Sequence, residues 1–203
     1  NQVFNIFENK IDKIIGKILS ADTKFIGFSV NYANRLFTIE LAKRIKQKDK
    51  SKILIFGGFG CISENMRSLI PEEVVDIFVV GEGEETLKEL LKNYKERKEL
   101  DIVEGVIVKN NGRFSKFIPR KPINNLDIIP FPKFEEFYLD FFKSPVLPIL
   151  ASRGCIGSCT FCNDHTMCFP YRIRTAYNVF EELKFHLVKN RISCFSFKDL
   201  LCN

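Results

Sequence analysis

Apolar positions along the chain follow two spacings, one typical of amphipathic helices and one typical of buried strands. Segments with apolar residues every three or four positions are predicted helices, and they lie at 5–20, 35–48, 63–69 and 84–96. Short, continuously apolar segments rich in Ile, Val and Phe are predicted strands buried on both faces, and they lie at 24–30, 52–58 and 74–81. The two kinds of segment alternate through the first half of the chain.

This alternation predicts the fold class. Apolar strands separated by amphipathic helices form parallel βαβ units with both faces of the sheet covered. Two further runs, 105–110 and 113–118, flank Asn111–Gly112, a dipeptide that strongly favours a two-residue hairpin turn. Residues 1–117 are therefore predicted to form a doubly wound, Rossmann-like α/β module closed by a hairpin.

The composition changes after this module. Six of the eight prolines lie between 118 and 148, mixed with phenylalanines, which predicts an extended linker packed on a surface. Beyond it, 146–152 and 192–199 are predicted strands around a helix at 175–190. We therefore expect an α/β module at 1–117, a linker at 118–147 and a further βαβ unit within 148–203.

Three of the seven cysteines lie within eight residues, directly after the predicted strand 146–152. Cys155, Cys159 and Cys162 are separated by three and then two residues in the sequence SRGCIGSCTFCND. Three thiolates in so tight a loop can face one [4Fe–4S] cluster, and they are one fewer than a closed site uses. The iron without a protein ligand is then open to a cofactor or substrate. Phe161, just before the last cysteine, can shield such a cluster on one side.

A zinc site and inert thiols are the alternatives for this loop. Zinc needs a fourth ligand, and only His165 and Cys168 lie near enough in the sequence to offer one. The other histidine, His186, is expected to be a partly exposed residue of the helix 175–190. The remaining thiols are expected to be buried or spare, namely Cys61, Cys168, Cys194 and Cys202.

The segment 148–164 resembles the cluster loop of radical S-adenosylmethionine enzymes. In that family the open iron binds the amino and carboxylate groups of S-adenosylmethionine, and cleavage of the sulfonium gives a 5′-deoxyadenosyl radical that abstracts a substrate hydrogen. The run FSFKDLL resembles the family strand whose acidic residue helps to hold the cofactor's amino group, which would be Asp199. A surface aspartate at a strand end is the alternative. The resemblance also implies an electron donor such as flavodoxin or ferredoxin.

The first half resembles the cobalamin-binding module found in one large class of these enzymes, in the runs GFSVNYAN, IFGGFG and VVGEGEETLKELL. In open parallel sheets ligands lie outside the carboxyl ends of the strands, and glycine lets backbone approach them closely. The residues expected to contact such a cofactor are Ser29, Gly57, Gly58, Gly81 and Gly83. The Asp-x-His-x-x-Gly loop that supplies a cobalt ligand in methyltransferase-type modules is missing from this sequence. Cobalamin would then bind without a protein imidazole, or a strand upstream of this sequence supplies the histidine, or the module is empty.

Composition and charge bear on the partners and the cellular compartment of the protein. The net charge is +6, but the lysines are scattered over predicted helices, so nucleic acid is not indicated as a partner. The sequence has neither a long uncharged apolar run nor a signal-peptide layout, so we expect no membrane span and a reducing cytoplasm. It begins without Met and stops within a predicted strand, so we expect a fragment of a longer chain.

Three functions follow from these observations. The resemblance implies a cobalamin-dependent radical enzyme that methylates or rearranges an unidentified small-molecule or peptide substrate. A radical methylthiotransferase acting on tRNA or protein is the second, although that family uses three further amino-terminal cysteines and only Cys61 precedes Cys155 here. The third is a fragment that binds cofactors without turnover, since one βα unit is a small part of the family's partial TIM barrel.

Overall fold

In the computed structural model, residues 8–134, 146–162 and 170–200 are described, and the chain divides into two compact units, 1–121 and 122–203. In chain order, the elements of the first unit are α1 (Glu8–Ser20), β1 (Phe25–Ser29), α2 (Arg35–Lys48), β2 (Ile53–Gly57), α3 (Glu64–Arg67), β3 (Ile77–Val79), α4 (Gly83–Lys95), β4 (Val106–Asn110) and β5 (Arg113–Phe114). Short 3₁₀ turns lie at Phe59–Cys61 and Glu72–Val74.

The first unit is built on one mixed sheet with the strand order β1-β2-β3-β4-β5. β1, β2 and β3 are parallel, whereas β4 runs antiparallel to β3 and β5 antiparallel to β4. The β4–β5 hairpin turns through Asn111 and Gly112, whose φ angles of +49° and +79° suit the type of turn that matches strand twist. The predicted hairpin is therefore confirmed.

Helices cover both faces of this sheet. On one face, Ile15 of α1 and Ile45 of α2 pack with Phe56 of β2 in one apolar cluster. On the other face, Leu90 of α4 packs with Ile55, the neighbour of Phe56 along the same strand. Successive strand side chains point to opposite faces, so a continuously apolar strand buries both. The predicted doubly wound α/β fold is confirmed.

The second unit contains a βαβ unit with a small additional strand pair. Its elements are β6 (Leu147–Ile149), β7 (Ser152–Arg153), β8 (Arg172–Ile173), α5 (Ala176–Asn190) and β9 (Phe195–Phe197). β6 and β9 pair in parallel on either side of α5 in the sequence, and β7 pairs antiparallel with β8. The predicted strand 146–152 is thus divided in two, because its end turns away to pair with β8.

Residues 127–134 of the predicted linker pack onto α5. The Asp127 carboxylate accepts a hydrogen bond from the backbone N–H of Thr175 (3.0 Å), the residue that caps α5 with its own hydroxyl. The rings of Phe131 and Phe185 lie 5.9 Å apart, and Phe134 lies 5.3 Å from the ring of His186. The linker phenylalanines at 131 and 134 therefore have the packing surface that the sequence predicted; those beyond 134 lie outside the described residues.

His186 is fully buried, so the prediction that it is partly exposed was wrong. The buried face of α5 consists of Val179, Glu182 and His186, at helical spacing. Two of these three residues are polar, and a prediction from polarity alone places polar residues on the solvent-exposed face of a helix. No described helix has the length and apolar character that crossing a bilayer requires.

Candidate functional site

The cysteine loop leaves and re-enters the second unit at the same place. Ser152 pairs with Ile173 and Arg153 with Arg172, so the ladder of β7 and β8 closes the loop between them. Gly154 starts the loop with a φ of +86°, a conformation that side chains disfavour, and it turns the chain out of β7. Residues 163–169, which include His165 and Cys168, lie outside the described residues.

Two of the three predicted ligands converge within this loop. A Cβ placed on Gly157 would lie 3.4 Å from Cys155 Sγ and 3.7 Å from Cys159 Sγ, so both sulfurs face the space beside this glycine. The backbone N–H of Gly157 also donates a hydrogen bond to Cys155 Sγ (3.3 Å). Cys162 ends a turn that begins at Cys159, in which the N–H of Cys162 donates to the carbonyl of Cys159 (3.0 Å).

The described part of the loop has features that a cluster can use. Among the described residues, no three His, Cys, Asp or Glu side chains are placed to hold one metal ion. In a [4Fe–4S] cluster each thiolate binds a different iron, so the three sulfurs need not meet at one point. Two sulfurs facing a side-chain-free position, with a backbone N–H on one of them, suit such a group. Phe161 is 89% exposed beside this loop.

Asp199 is bound to the strand end that leads into the cysteine loop. Its carboxylate accepts hydrogen bonds from the backbone N–H of Ala151 (3.2 Å), from the N–H of Ser152 and from the Ser152 hydroxyl (2.5 Å). A carboxylate offers about four acceptor positions, so one remains for a ligand. These contacts could not be predicted from local patterns, because they join residues 47 and 48 positions apart.

A second side chain that the sequence analysis missed, Arg174, contacts the same strand end. Its guanidinium donates to the carbonyl of Leu150 (2.8 Å), and its backbone N–H donates to the carbonyl of Ala151 (2.8 Å). The same guanidinium pairs with the buried Glu182 of α5. Polar residues at steps of four from Arg174 to Asn190 are the sequence signal that could have revealed this buried row.

The residues predicted to contact cobalamin lie at one edge of the sheet in the first unit. Ser29 and Gly57 are register partners at the carboxyl ends of β1 and β2. Gly81 and Gly83 follow β3, and Gly83 begins α4. The exposed side chains of Tyr32, Leu36 and Phe59, which follow β1 and β2, lie in the segments leaving the same edge.

Gly58 is required by the packing of two neighbouring turns. Its φ of +83° and ψ of −175° define a region that essentially only glycine occupies. A Cβ at this position would lie 2.9 Å from both Ser29 Oγ and the carbonyl oxygen of Val30. Gly60, which the sequence analysis did not single out, is equally crowded, since its Cβ would lie 2.8 Å from a methyl carbon of Val30. Gly81, at a φ of +90°, faces open space.

Cys61 is buried in the first unit. Burial was one of the two states predicted for the thiols outside the cysteine loop. Burial raises the pKa of its thiol from 9.0 to about 12, because the thiolate would lose its hydration. A raised pKa means that the neutral thiol stabilises the fold fully below about pH 9 and loses this contribution as the pH rises toward 12.

We expect iodoacetamide at pH 8 to leave Cys61 of the native protein unmodified, because only the thiolate attacks and burial also blocks access. Cys194 is exposed and serves as the internal control that reacts under the same conditions. Peptide mapping by mass spectrometry measures both sites, and both should react in urea. Equal rates at Cys61 and Cys194 in the native protein would contradict the buried, protonated thiol.

No family model matches the chain, but curated proteins resemble it in sequence and solved structures resemble it in fold. A protein from Pyrococcus horikoshii, named as an uncharacterized methyltransferase, is 30% identical over 156 residues, which cover 75% of this chain and 33% of that protein. The chain spans between 22% and 33% of the length of the curated relatives it matches.

Two solved structures share the fold. OxsB, a cobalamin-dependent S-adenosylmethionine radical enzyme with aqua-cobalamin and S-adenosylmethionine bound, matches with a TM-score of 0.77 and 23% identity, over 94% of this chain and 27% of its own. TsrM from Kitasatospora setae, a radical S-adenosylmethionine methyltransferase with cobalamin and a [4Fe–4S] cluster bound, matches with a TM-score of 0.72 and 15% identity, over 96% of this chain and 40% of its own. The findings confirm the predicted resemblance: this chain shares its fold with cobalamin-dependent radical S-adenosylmethionine enzymes.

Proposed function

We propose that the protein is a radical S-adenosylmethionine enzyme in which Cys155, Cys159 and Cys162 hold a [4Fe–4S] cluster with one open iron. The observation that carries the proposal is the convergence of two of these sulfurs beside Gly157, in a loop closed by β7 and β8. The fold shared with OxsB and TsrM supports it. When bound, the cluster supplies the electron that cleaves the sulfonium of S-adenosylmethionine.

The chain's own residues prepare the site for this group. The Gly157 N–H donates a hydrogen bond to Cys155 Sγ (3.3 Å), which fixes the direction in which this sulfur points. Asp199 holds the strand end before the loop and keeps one acceptor position, which we assign to the amino group of the cofactor. Phe161, exposed beside the last cysteine, limits the access of water to the cluster.

The carboxyl edge of the first unit is the proposed cobalamin site. Ser29, Gly57, Gly58, Gly81 and Gly83 lie at or after the ends of the three parallel strands, where ligands of open sheets bind. The exposed apolar side chains that follow β1 and β2 provide surface for a large flat ring. Both histidines of the sequence, at positions 165 and 186, fall in the second unit, so the cofactor receives no imidazole from residues 1–121.

Methyl transfer is the reaction we assign to the whole protein, with a rearrangement as the other outcome of the same radical chemistry. The Pyrococcus horikoshii relative and TsrM are both named methyltransferases, which supports this assignment. The substrate is a small molecule or peptide, and an electron carrier such as flavodoxin or ferredoxin reduces the cluster in a reducing cytoplasm.

Anaerobic reconstitution tests this proposal. The protein is incubated with iron, sulfide and hydroxocobalamin, desalted, and analysed for iron, zinc, acid-labile sulfide and corrin absorbance. We expect about four irons per chain, as one [4Fe–4S] cluster requires, together with corrin that co-elutes with the protein. Protein that retains zinc and takes up no iron would overturn the cluster; iron without corrin would overturn the cobalamin site alone.

A further inference from the structure

A row of polar side chains runs along α5 in the second unit, with two of its members buried and the others half-buried, and the proposed function does not use it. Arg174 precedes α5, and the other members are on one face of that helix at steps of four: Asn178, Glu182, His186 and Asn190. Glu182 is 2% exposed and His186 0% exposed. His186 Nδ1 lies 2.8 Å from the amide nitrogen of Asn190, and Arg174 pairs with Glu182.

Stability alone is a weak reason for such a row. Removing a cation and an anion from water costs free energy that their attraction often only offsets, so apolar side chains of similar size would serve as well in a core. What an ion pair can do, and apolar side chains cannot, is to fix the positions of particular backbone groups through directed hydrogen bonds.

Arg174 holds the strand end from which the cysteine loop departs. Its Nη1 donates to the carbonyl of Leu150 (2.8 Å), and its backbone N–H donates to the carbonyl of Ala151 (2.8 Å). On the amide side of the same strand end, Asp199 accepts from the N–H groups of Ala151 and Ser152. The Arg174 guanidinium on one carbonyl, the Arg174 backbone N–H on the next and the Asp199 carboxylate on two amides thus fix residues 150–152, and Cys155 follows three residues later.

We infer that Arg174, held in place by Glu182, is a positioning residue that sets the orientation of the cysteine loop toward its cluster. The inference rests on the proposed function, since the loop needs a defined orientation only if it binds a rigid group. Arg174 touches neither the cluster nor the cofactor in this account. It acts through residues 150–152, and Glu182 and Asn178 keep its guanidinium in the required orientation.

A lysine cannot replace this arginine. Besides its bonds to Glu182 and Leu150, the guanidinium donates through Nε to Asn178 Oδ1 (2.7 Å) and through Nη2 to the carbonyl of Asn178 (3.3 Å). A planar fork reaches these partners together, whereas an ammonium group is a single point of charge. Arg174→Lys therefore keeps the charge and most of the side-chain volume, but it removes the planar set of donors that reaches these partners together.

The test compares Arg174→Lys with Arg44→Lys in the full chain. Arg44 is a matched control because it is similarly buried, with 17% of its side chain exposed against 11% for Arg174, and it pairs with Glu8 and Glu40 in the first unit. Three quantities are measured: iron per chain after reconstitution, the EPR spectrum of the reduced cluster, and amide hydrogen exchange of the peptide 147–162 before reconstitution.

For Arg174→Lys we expect iron per chain to fall by at least half, with a shifted or broadened EPR spectrum in the remaining cluster. Exchange within 147–162 should become roughly tenfold faster, as the loss of a charge-assisted hydrogen bond implies. Arg44→Lys should match the wild type in all three. If Arg174→Lys does not fold, Asn178→Ala removes the side-chain acceptor of Nε, together with a long hydrogen bond from Asn178 Nδ2 to the carbonyl of Asp127 (3.4 Å). This variant should give smaller changes of the same kind.

The outcomes separate the inference from the proposed function. A wild-type protein that takes up no iron overturns the proposed function, and unchanged exchange in Arg174→Lys then overturns the inference as well. A wild-type cluster together with unchanged iron, EPR spectrum and exchange in Arg174→Lys overturns the inference alone. Equal losses in both lysine variants would show a general effect of removing a buried arginine and would also overturn it.

Discussion

Replacing Cys159 by alanine is expected to lower the iron content of the reconstituted protein from about four atoms per chain to nearly none. The cluster has only three protein ligands in this account, and two thiolates do not retain a cluster that three already leave open. Cys159 is the sharpest choice of the three, because its side chain is exposed and contributes little packing. Iron and sulfide analysis after anaerobic reconstitution measures the effect.

Cys194→Ala is the matched control for this variant. Cys194 is also an exposed thiol of the second unit, but it lies outside the cysteine loop and just before β9. It should keep the iron content of the wild type. If Cys159→Ala retained four irons while Cys194→Ala lost them, the cluster would have other ligands and the assignment of the loop would fail.

Replacing Gly58 by alanine should destabilise the protein by about 3 kcal/mol, the second large effect that we expect. The backbone at Gly58 lies in a region that costs a residue with a Cβ about 1–3 kcal/mol. The new methyl group would in addition lie 2.9 Å from Ser29 Oγ and from the carbonyl oxygen of Val30, and overpacking of this kind costs about 1–3 kcal/mol. The midpoint of urea unfolding, followed by circular dichroism, measures the loss.

Two other glycines separate the causes of this loss. Gly81→Ala shares the positive φ but meets open space, so it should lose only the conformational part, about 1–2 kcal/mol. Gly27→Ala meets neither a positive φ nor a neighbouring atom within 4 Å, so its effect should be close to zero. Equal effects at Gly58 and Gly27 would show that the turns after β1 and β2 are not packed as the structure has them.

Local patterns predicted the architecture of the first unit well. The predicted helix 35–48 has the observed bounds of α2, because its apolar residues keep helical spacing over the whole segment. The hairpin was predictable because Asn111 and Gly112 are residue types that tolerate positive φ. The strands proved shorter than predicted: Val74, Val75 and Val80, which made the apolar run longer, are buried but lie outside β3.

The parts that could not be predicted depend on contacts between distant residues. β7 and β8 have two residues each, too few to show a hydrophobic period, and they pair with each other across the cysteine loop. The contacts of Asp199 and Arg174 with the strand end at 150–152 join segments that are distant in the sequence. His186 was assigned to the surface because helical patterns equate polar with exposed, and a buried polar row breaks that rule.

The central claim is that the cysteine loop holds a cluster with an open iron, and the EPR spectrum of the reduced, reconstituted protein tests it most directly. The spectrum is recorded before and after addition of S-adenosylmethionine, with Cys159→Ala as the blank. We predict the signal of a reduced [4Fe–4S] cluster that changes when the cofactor binds, since an iron without a protein ligand is free to accept it. A cluster signal that does not change with S-adenosylmethionine, or no cluster signal at all, would contradict the account.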